Sequence, residues 1–227
     1  MVNPIIVALD VPTLEEAIRL AKLLRGEVGG FKVGMELLMG AGPRAIESVA
    51  ALGSPVFADA KLHDIPNTVE RAAARVKDAG ARWVTVHATG GRDMIEAANA
   101  GMGNRGVLAV TVLTSLADDD LPELGIEGTL SGHVLRLAQL GAAASVEGVV
   151  CSPSEVRAVK QGQWGLKVFT PGVRPLVTST DDQRRTATPE EAIIDGADHL
   201  VIGRPITRAD DPVESARKIA ASIASLT

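Results

Sequence analysis

The sequence predicts an α/β protein: a single (β/α)8 barrel of the TIM type covering residues 1–227. Three observations carry the prediction. Short β-branched runs alternate with longer Ala- and Leu-rich amphipathic segments from one end of the chain to the other. Eight such units share 227 residues, roughly 28 each, the spacing of a compact barrel. Hydrophobic residues make up 46% of the chain but aromatics only 2%, with no tyrosine, so the core is built from Ala, Val, Leu and Ile, as parallel sheets sandwiched by helices require. A doubly wound open sheet is the competing architecture. Eight regular units weigh against it, and no linker or composition break divides the chain.

The expected strands are, in order, 5–9, 30–33, 56–58, 83–86, 107–112, 148–150, 166–169 and 199–202. Between them, Thr13 is placed to cap a helix over Leu14 to Arg25, with Glu16 as its capping-box partner. Ser152 or Ser154 is placed to start a later helix, with Pro153 in its first turn. Gly53, Gly80 and Gly141 are expected at helix exits.

Composition removes several functional classes. A net charge of −5 leaves no basic footprint for nucleic acid, and two tryptophans with three phenylalanines are too few for a base-stacking platform. Cys151 is the only cysteine, so no intrachain disulfide is possible, which suits a reducing compartment. Met1-Val2-Asn3-Pro4 runs into the first strand without a signal-like region, and no apolar stretch is long enough to span a bilayer. The expectation is a cytoplasmic protein.

A barrel places its chemistry at the C-terminal ends of its strands. Nearly every unit supplies a polar group there. Asp10 ends the first strand, Lys32 the second, Asp59 and Lys61 the third. His87 follows the fourth, Thr114 and Ser115 the fifth, Ser152 the sixth. Pro171-Gly172-Val173-Arg174 follows the seventh and Gly203-Arg204-Pro205 the eighth. The last two loops read as a phosphate site: glycines let backbone amides approach an anion, and Arg174 and Arg204 supply guanidinium forks. The segment 178–188 is long and polar for a strand-to-helix loop.

The densest feature is Asp59-Ala60-Lys61-Leu62-His63-Asp64-Ile65-Pro66-Asn67-Thr68. Alternation puts Asp59 and Lys61 on one face of a strand end, Asp64 lies past the turn, and Pro66 sets the backbone for a helix. Charges there are costly unless they neutralise one another. A buried structural ion network is the plain alternative. His87 reads as a rim or core histidine, His63 as a residue behind the site or at an interface, and Trp83 and Trp164 as packing residues.

These motifs in this order resemble the orotidine 5′-monophosphate decarboxylase family, in its bacterial form, over nearly the whole chain. The anchors are Val7-Ala8-Leu9-Asp10, Phe31-Lys32-Val33-Gly34, the Asp59-to-Thr68 stretch, Val86-His87-Ala88 and Thr111-Val112-Leu113-Thr114-Ser115. Pro171-Gly172-Val173-Arg174, Asp182-Gln183-Arg184-Arg185 and Ile202-Gly203-Arg204-Pro205 complete them. The resemblance implies conversion of orotidine 5′-monophosphate to uridine 5′-monophosphate and carbon dioxide without cofactor or metal. It implies an alternating network of Lys32, Asp59, Lys61 and Asp64, with Lys61 as proton donor. It implies a homodimer in which Asp64 and Thr68 enter the partner's site. Asp10 and Lys32 would hold ribose hydroxyls, Thr114 and Ser115 would approach the pyrimidine, and Pro171, Arg174, Gln183, Gly203 and Arg204 would lie at the phosphate.

Two other functions compete. Metal-dependent sugar-phosphate enzymes of the same barrel group, such as ketogulonate-phosphate decarboxylases and hexulose-phosphate synthases, share the Asp-x-Lys-x-x-Asp pattern. Their second strand carries an acidic residue where this chain has Lys32. A noncatalytic nucleotide-binding barrel is the third reading, although a pure binder has little use for a lysine between two acids.

Overall fold

In the computed structural model, which describes residues 3–103, 105–175 and 185–226, eight parallel strands close into a barrel in sequential order. The strands are β1 (Ile5–Ala8), β2 (Gly30–Val33), β3 (Val56–Leu62), β4 (Trp83–His87), β5 (Gly106–Val110), β6 (Gly148–Val150), β7 (Lys167–Thr170) and β8 (His199–Ile202). β8 returns to pair with β1, Ile5 opposite Leu200, which closes the ring. An open doubly wound sheet is thereby excluded.

Ten helices surround the barrel among the described residues. They are α1 (Leu14–Leu24), α2 (Met35–Ala41), α3 (Arg44–Ala50), α4 (Pro66–Asp78), α5 (Arg92–Met102), α6 (Leu130–Ala143), α7 (Pro153–Gln161), α8 (Pro189–Ile194), α9 (Arg204–Thr207) and α10 (Pro212–Ile223). The Thr13 hydroxyl accepts the Glu16 N–H at 3.2 Å, so α1 starts where the sequence indicates. Pro153 opens α7 behind Ser152, but the serine does not cap it. Its hydroxyl donates instead to Glu155. Gly53 and Gly80 leave α3 and α4 with φ of +87° and +100°. Gly141 departs from expectation: it lies inside α6, where an added Cβ would come within 3.2 Å of Ala109 and Val146. Its small size lets the helix sit close to the sheet rather than end.

Period-two alternation splits the core in two. Ile5, Val7, Leu9, Phe31, Val33, Val84 and Val86 pack outward against the helices. Ile6, Ala8, Phe57, Trp83, Leu108, Phe169 and Val201 fill the barrel interior. The inward series of a strand, continued past this packed layer, arrives at the C-terminal mouth. There Asp10, Lys32, Asp59 and Lys61 take over.

Candidate active site

A cavity of about 280 Å³ opens at that mouth, floored by Ala8, Phe57, Val150 and Val201 of the interior packing. Four charged side chains cross it in alternating sign. Lys32 Nζ lies 2.9 Å from Asp10 Oδ1 and 3.4 Å from Asp59 Oδ2, and Lys61 Nζ lies 2.8 Å from Asp59 Oδ1. Burial by itself would raise the Asp59 carboxyl and lower the Lys32 ammonium. The opposite charges win. The ammonium groups of Lys32 and Lys61 and the hydroxyl of Thr85 bring Asp59 below the ordinary carboxylate range, and Asp59 and Asp10 hold Lys32 above the ordinary lysine range. Both groups are thus charged at neutral pH although nearly enclosed.

The strand carrying this array is not regular. β3 pairs with β4 through Ala58 opposite Val84, then through Leu62 opposite Val86. Three residues, Asp59, Ala60 and Lys61, therefore stand against the single residue Thr85. This is a β-bulge, and Lys61 within it takes φ +47°, a conformation a side chain adopts only when its surroundings impose it. Asp59 and Lys61 do share the cavity face, but through this bulge rather than by simple alternation.

The loops after β7 and β8 form the opposite wall. Pro171, Gly172, Val173, Arg174, Gly203, Arg204 and Pro205 all border the cavity. Gly172 has φ +81°, and Arg174 N–H donates to Ala187 O at 2.9 Å, so the chain returns beside its own point of departure. Thr114 borders the cavity, whereas Ser115 is exposed outside it. Gln183 lies outside the described residues. Asp64 and Thr68 stand apart from the cavity of their own chain: both are exposed, and Asp64 Oδ1 accepts the Ile65 N–H at 2.6 Å.

Sequence reasoning missed three side chains around the site. Thr85 is one. The others are Glu155 and Arg185, an enclosed pair at 2.7 Å in which Arg185 also donates to Leu113 O at 2.9 Å. Arg185 thereby ties the β5 loop, next to Thr114, to α7. Its appearance in the Asp182-to-Arg185 motif was a signal, but nothing in the sequence says that it faces a glutamate rather than a ligand. Cys151 borders the cavity, yet burial and the nearby Glu155 push its thiol up, so it stays protonated and unreactive. His87 is held below the ordinary imidazole value by burial, then by His63, whose ring centre is 5.6 Å away, and by Lys61. No grouping of three or more His, Cys, Asp or Glu suited to a metal ion occurs among the described residues, nor does any helix long and apolar enough to cross a membrane.

Known proteins resemble this chain in sequence and fold. The family model described as orotidine 5′-phosphate decarboxylase / HUMPS family matches residues 3–219. A protein of Erythrobacter litoralis named orotidine 5′-phosphate decarboxylase is 46% identical over 225 residues, covering 98% of this chain and 100% of the relative. One of the same name from Anaeromyxobacter sp. is 50% identical over 219 residues, covering 95% and 96%. The crystal structure of orotidine 5′-phosphate decarboxylase from Lactobacillus acidophilus superposes with a TM-score of 0.85 at 36% identity, covering 96% of this chain and 98% of that one. With a closed barrel, a charged array at its C-terminal mouth and relatives matched end to end, the chain belongs to the orotidine 5′-phosphate decarboxylase / HUMPS family.

Proposed function

We propose that this protein decarboxylates orotidine 5′-monophosphate to uridine 5′-monophosphate, with Lys61 delivering the proton and no metal or cofactor taking part. The observation that carries the reading is the order Asp10–Lys32–Asp59–Lys61 across the cavity. The family description also covers sugar-phosphate enzymes, and Lys32 speaks against that branch. Its ammonium lies between the carboxylates of Asp10 and Asp59, where a divalent cation would have to compete with a fixed positive charge.

The chemistry follows from the charges. Breaking the bond between the ring carbon and the carboxylate releases carbon dioxide and leaves an electron pair on an sp² carbon with no conjugated sink. An ammonium fixed beside that carbon stabilises the developing charge and costs no reorganisation during the reaction. Lys61 supplies it, aimed by Asp59 at 2.8 Å. Lys61 then transfers a proton to the carbon, yielding the product, and regains one from water. Asp10 and Lys32 take the ribose hydroxyls, Thr114 and Ser115 approach the pyrimidine, and Pro171, Arg174, Gln183, Gly203 and Arg204 hold the phosphate. Binding energy at that distant group is expressed in the transition state.

The same reading makes the functional unit a homodimer, with Asp64 and Thr68 completing the partner's site. In its support, both residues are exposed in the single chain, and their neighbour Ile65 is 66% exposed, an unusual setting for an isoleucine at a helix start. Mixing inactive Asp64→Ala and Lys61→Ala proteins is expected to restore part of the activity by forming one intact hybrid site. No recovery after demonstrated subunit exchange would defeat the shared site.

The deciding experiment follows the ultraviolet absorbance of orotidine 5′-monophosphate after addition of EDTA-treated protein, in parallel with Lys61→Ala. Turnover by the wild type that is lost in the variant is the expected result. A folded wild-type protein without turnover would overturn the assignment, and sugar phosphates with magnesium would be tested next.

A further inference from the structure

We infer that Thr85 is a positioning residue for this site, its hydroxyl fixing the Asp59 carboxylate and the Lys61 main chain together. The inference rests on the proposed decarboxylase reading for its kinetic consequence, and on geometry for the rest.

Thr85 is fully buried at the middle of β4 and is the single residue opposite the three-residue bulge of β3. Its Oγ1 accepts the Lys61 N–H at 2.9 Å and donates to Asp59 Oδ1 at 3.0 Å. A hydroxyl has one proton, and an N–H can only donate, so the proton of Thr85 is committed to the carboxylate. The same Asp59 Oδ1 also receives Lys61 Nζ at 2.8 Å. The result is a closed loop: hydroxyl to carboxylate, carboxylate to ammonium, and the main chain of that same lysine back to the hydroxyl.

The bulge explains why a side chain is needed here. With β3 carrying two residues more than β4 across this stretch, the Lys61 N–H is out of register with the β4 ladder. An enclosed N–H without an acceptor is disfavoured, and the threonine oxygen serves in place of a main-chain carbonyl. That bond anchors Lys61 at φ +47° and so sets the point from which its side chain reaches into the cavity. The second bond removes one lone pair of Asp59 from solvent and helps to keep the carboxylate ionised.

Valine has the shape of threonine without either hydrogen bond, and serine keeps both while losing a methyl. In Thr85→Val, kcat is expected to fall between about 10- and 100-fold, with KM within about threefold because phosphate and ribose contacts are untouched. Its acid limb should move to higher pH, and Thr85→Ser should recover most of the rate and the wild-type limb. If Thr85→Val does not fold, Thr85→Ser and Thr85→Ala give the same comparison, since they differ by the hydroxyl alone. Carbon-13 NMR of the Asp59 carboxyl supplies a readout independent of turnover: its titration should sit higher in the variant without a hydroxyl. Matching kcat values in the hydroxyl-bearing and hydroxyl-free proteins would overturn the inference, as would matching Asp59 titrations. Failure of wild-type turnover bears on the function alone, and the NMR comparison then decides the role of Thr85.

Discussion

Each mouth of the barrel gathers cations and a neutral donor around one carboxylate. At the C-terminal mouth Asp59 receives Lys61, Lys32 and the hydroxyl of Thr85. At the opposite mouth Glu147 Oε1 receives Arg82 at 2.9 Å, the Trp83 indole N–H at 3.0 Å and Lys167 at 3.0 Å. The two hubs are alike in chemistry and differ in what lies beside them. Around Glu147, Trp83 packs edge-on against Phe169, His199 stacks on Phe169 at 4.3 Å, and a Cβ at Gly106 would come within 2.2 Å of the glutamate oxygen. The space beside Glu147 is an open surface groove bordered by Asn99, Arg105 and Ser145, and Arg82, Trp83 and Lys167 do not line it. Around Asp59, Lys61 turns toward a cavity from a left-handed residue inside a strand. The other left-handed non-glycine residues among those described, Ser145 and Gln163, follow the exits of α6 and α7. What sets the Asp59 array apart is that both its lysines and both its carboxylates line one cavity, with a strained backbone residue among them. Ionic content alone does not distinguish the two.

The strongest test of this contrast exchanges one residue at each mouth. Lys61→Ala should lower kcat by about a thousandfold or more, the scale of removing a preorganised charge, and leave Tm within a few degrees of wild type. Glu147→Ala should do the reverse. It strands Arg82 and Lys167 beside each other in a partly enclosed place, at a cost of about 2 kcal/mol, or roughly 5 °C in Tm. Its kcat, per folded molecule, should match wild type. Steady-state turnover and thermal unfolding of the two variants read both quantities. A comparable kcat loss in Glu147→Ala would erase the distinction between the mouths.

A weaker effect is expected where binding, not chemistry, is disturbed. Arg204 borders the cavity from the first residue of α9, after β8, rather than from β3 where Lys61 stands. Arg204→Ala should reduce kcat/KM by about 100-fold through loss of the phosphate contact proposed for it. Arg82→Ala at the other mouth removes the same guanidinium and should leave kcat/KM unchanged. Equal values for Arg204→Ala and wild type would remove the phosphate from that wall.

These contrasts also mark what the sequence discloses. The barrel was legible because short apolar runs alternate with amphipathic segments in eight units of roughly 28 residues, and nearly every unit is followed by a polar residue. Asp10, Lys32, Asp59, Lys61, Thr114 and Arg204 were legible for the same reason: each sits where an inward series or its loop meets the mouth. The Glu147 hub was not: Arg82 and Trp83 stand at the start of β4, Glu147 just before β6 and Lys167 at the start of β7, and only the packing of these strand starts brings them together. Thr85 escaped notice because a threonine in a strand is ordinary, and the bulge that gives it a role depends on the pairing of β3 with β4. The interior place of Gly141 escaped too. A glycine near a helix end reads as an exit unless the distance to the neighbouring strand is known.

The smallest expected difference is in the response to acid. His199, at the N-terminal mouth, is kept below the ordinary imidazole value first by burial; Lys167 adds to this, while Asp198 and Glu147 oppose it. The unfolded chain therefore binds a proton near pH 6.5 that the folded chain refuses. Its contribution to stability is complete above that pH and is lost as the pH falls toward the lowered folded value. Wild-type Tm should decline by a few degrees between pH 7.5 and pH 5. His199→Phe keeps a ring on Phe169 and cannot titrate, so its decline should be shallower, though not absent, because His87 and His133 are shifted in the same direction. Turnover over this range should be the same in both proteins once corrected for folded fraction, since the ring lies with Trp83 and Phe169 at the mouth away from Lys61. Parallel Tm curves for the two proteins would show that the N-terminal mouth tolerates the extra charge, and that its packing is looser than the ring contacts indicate.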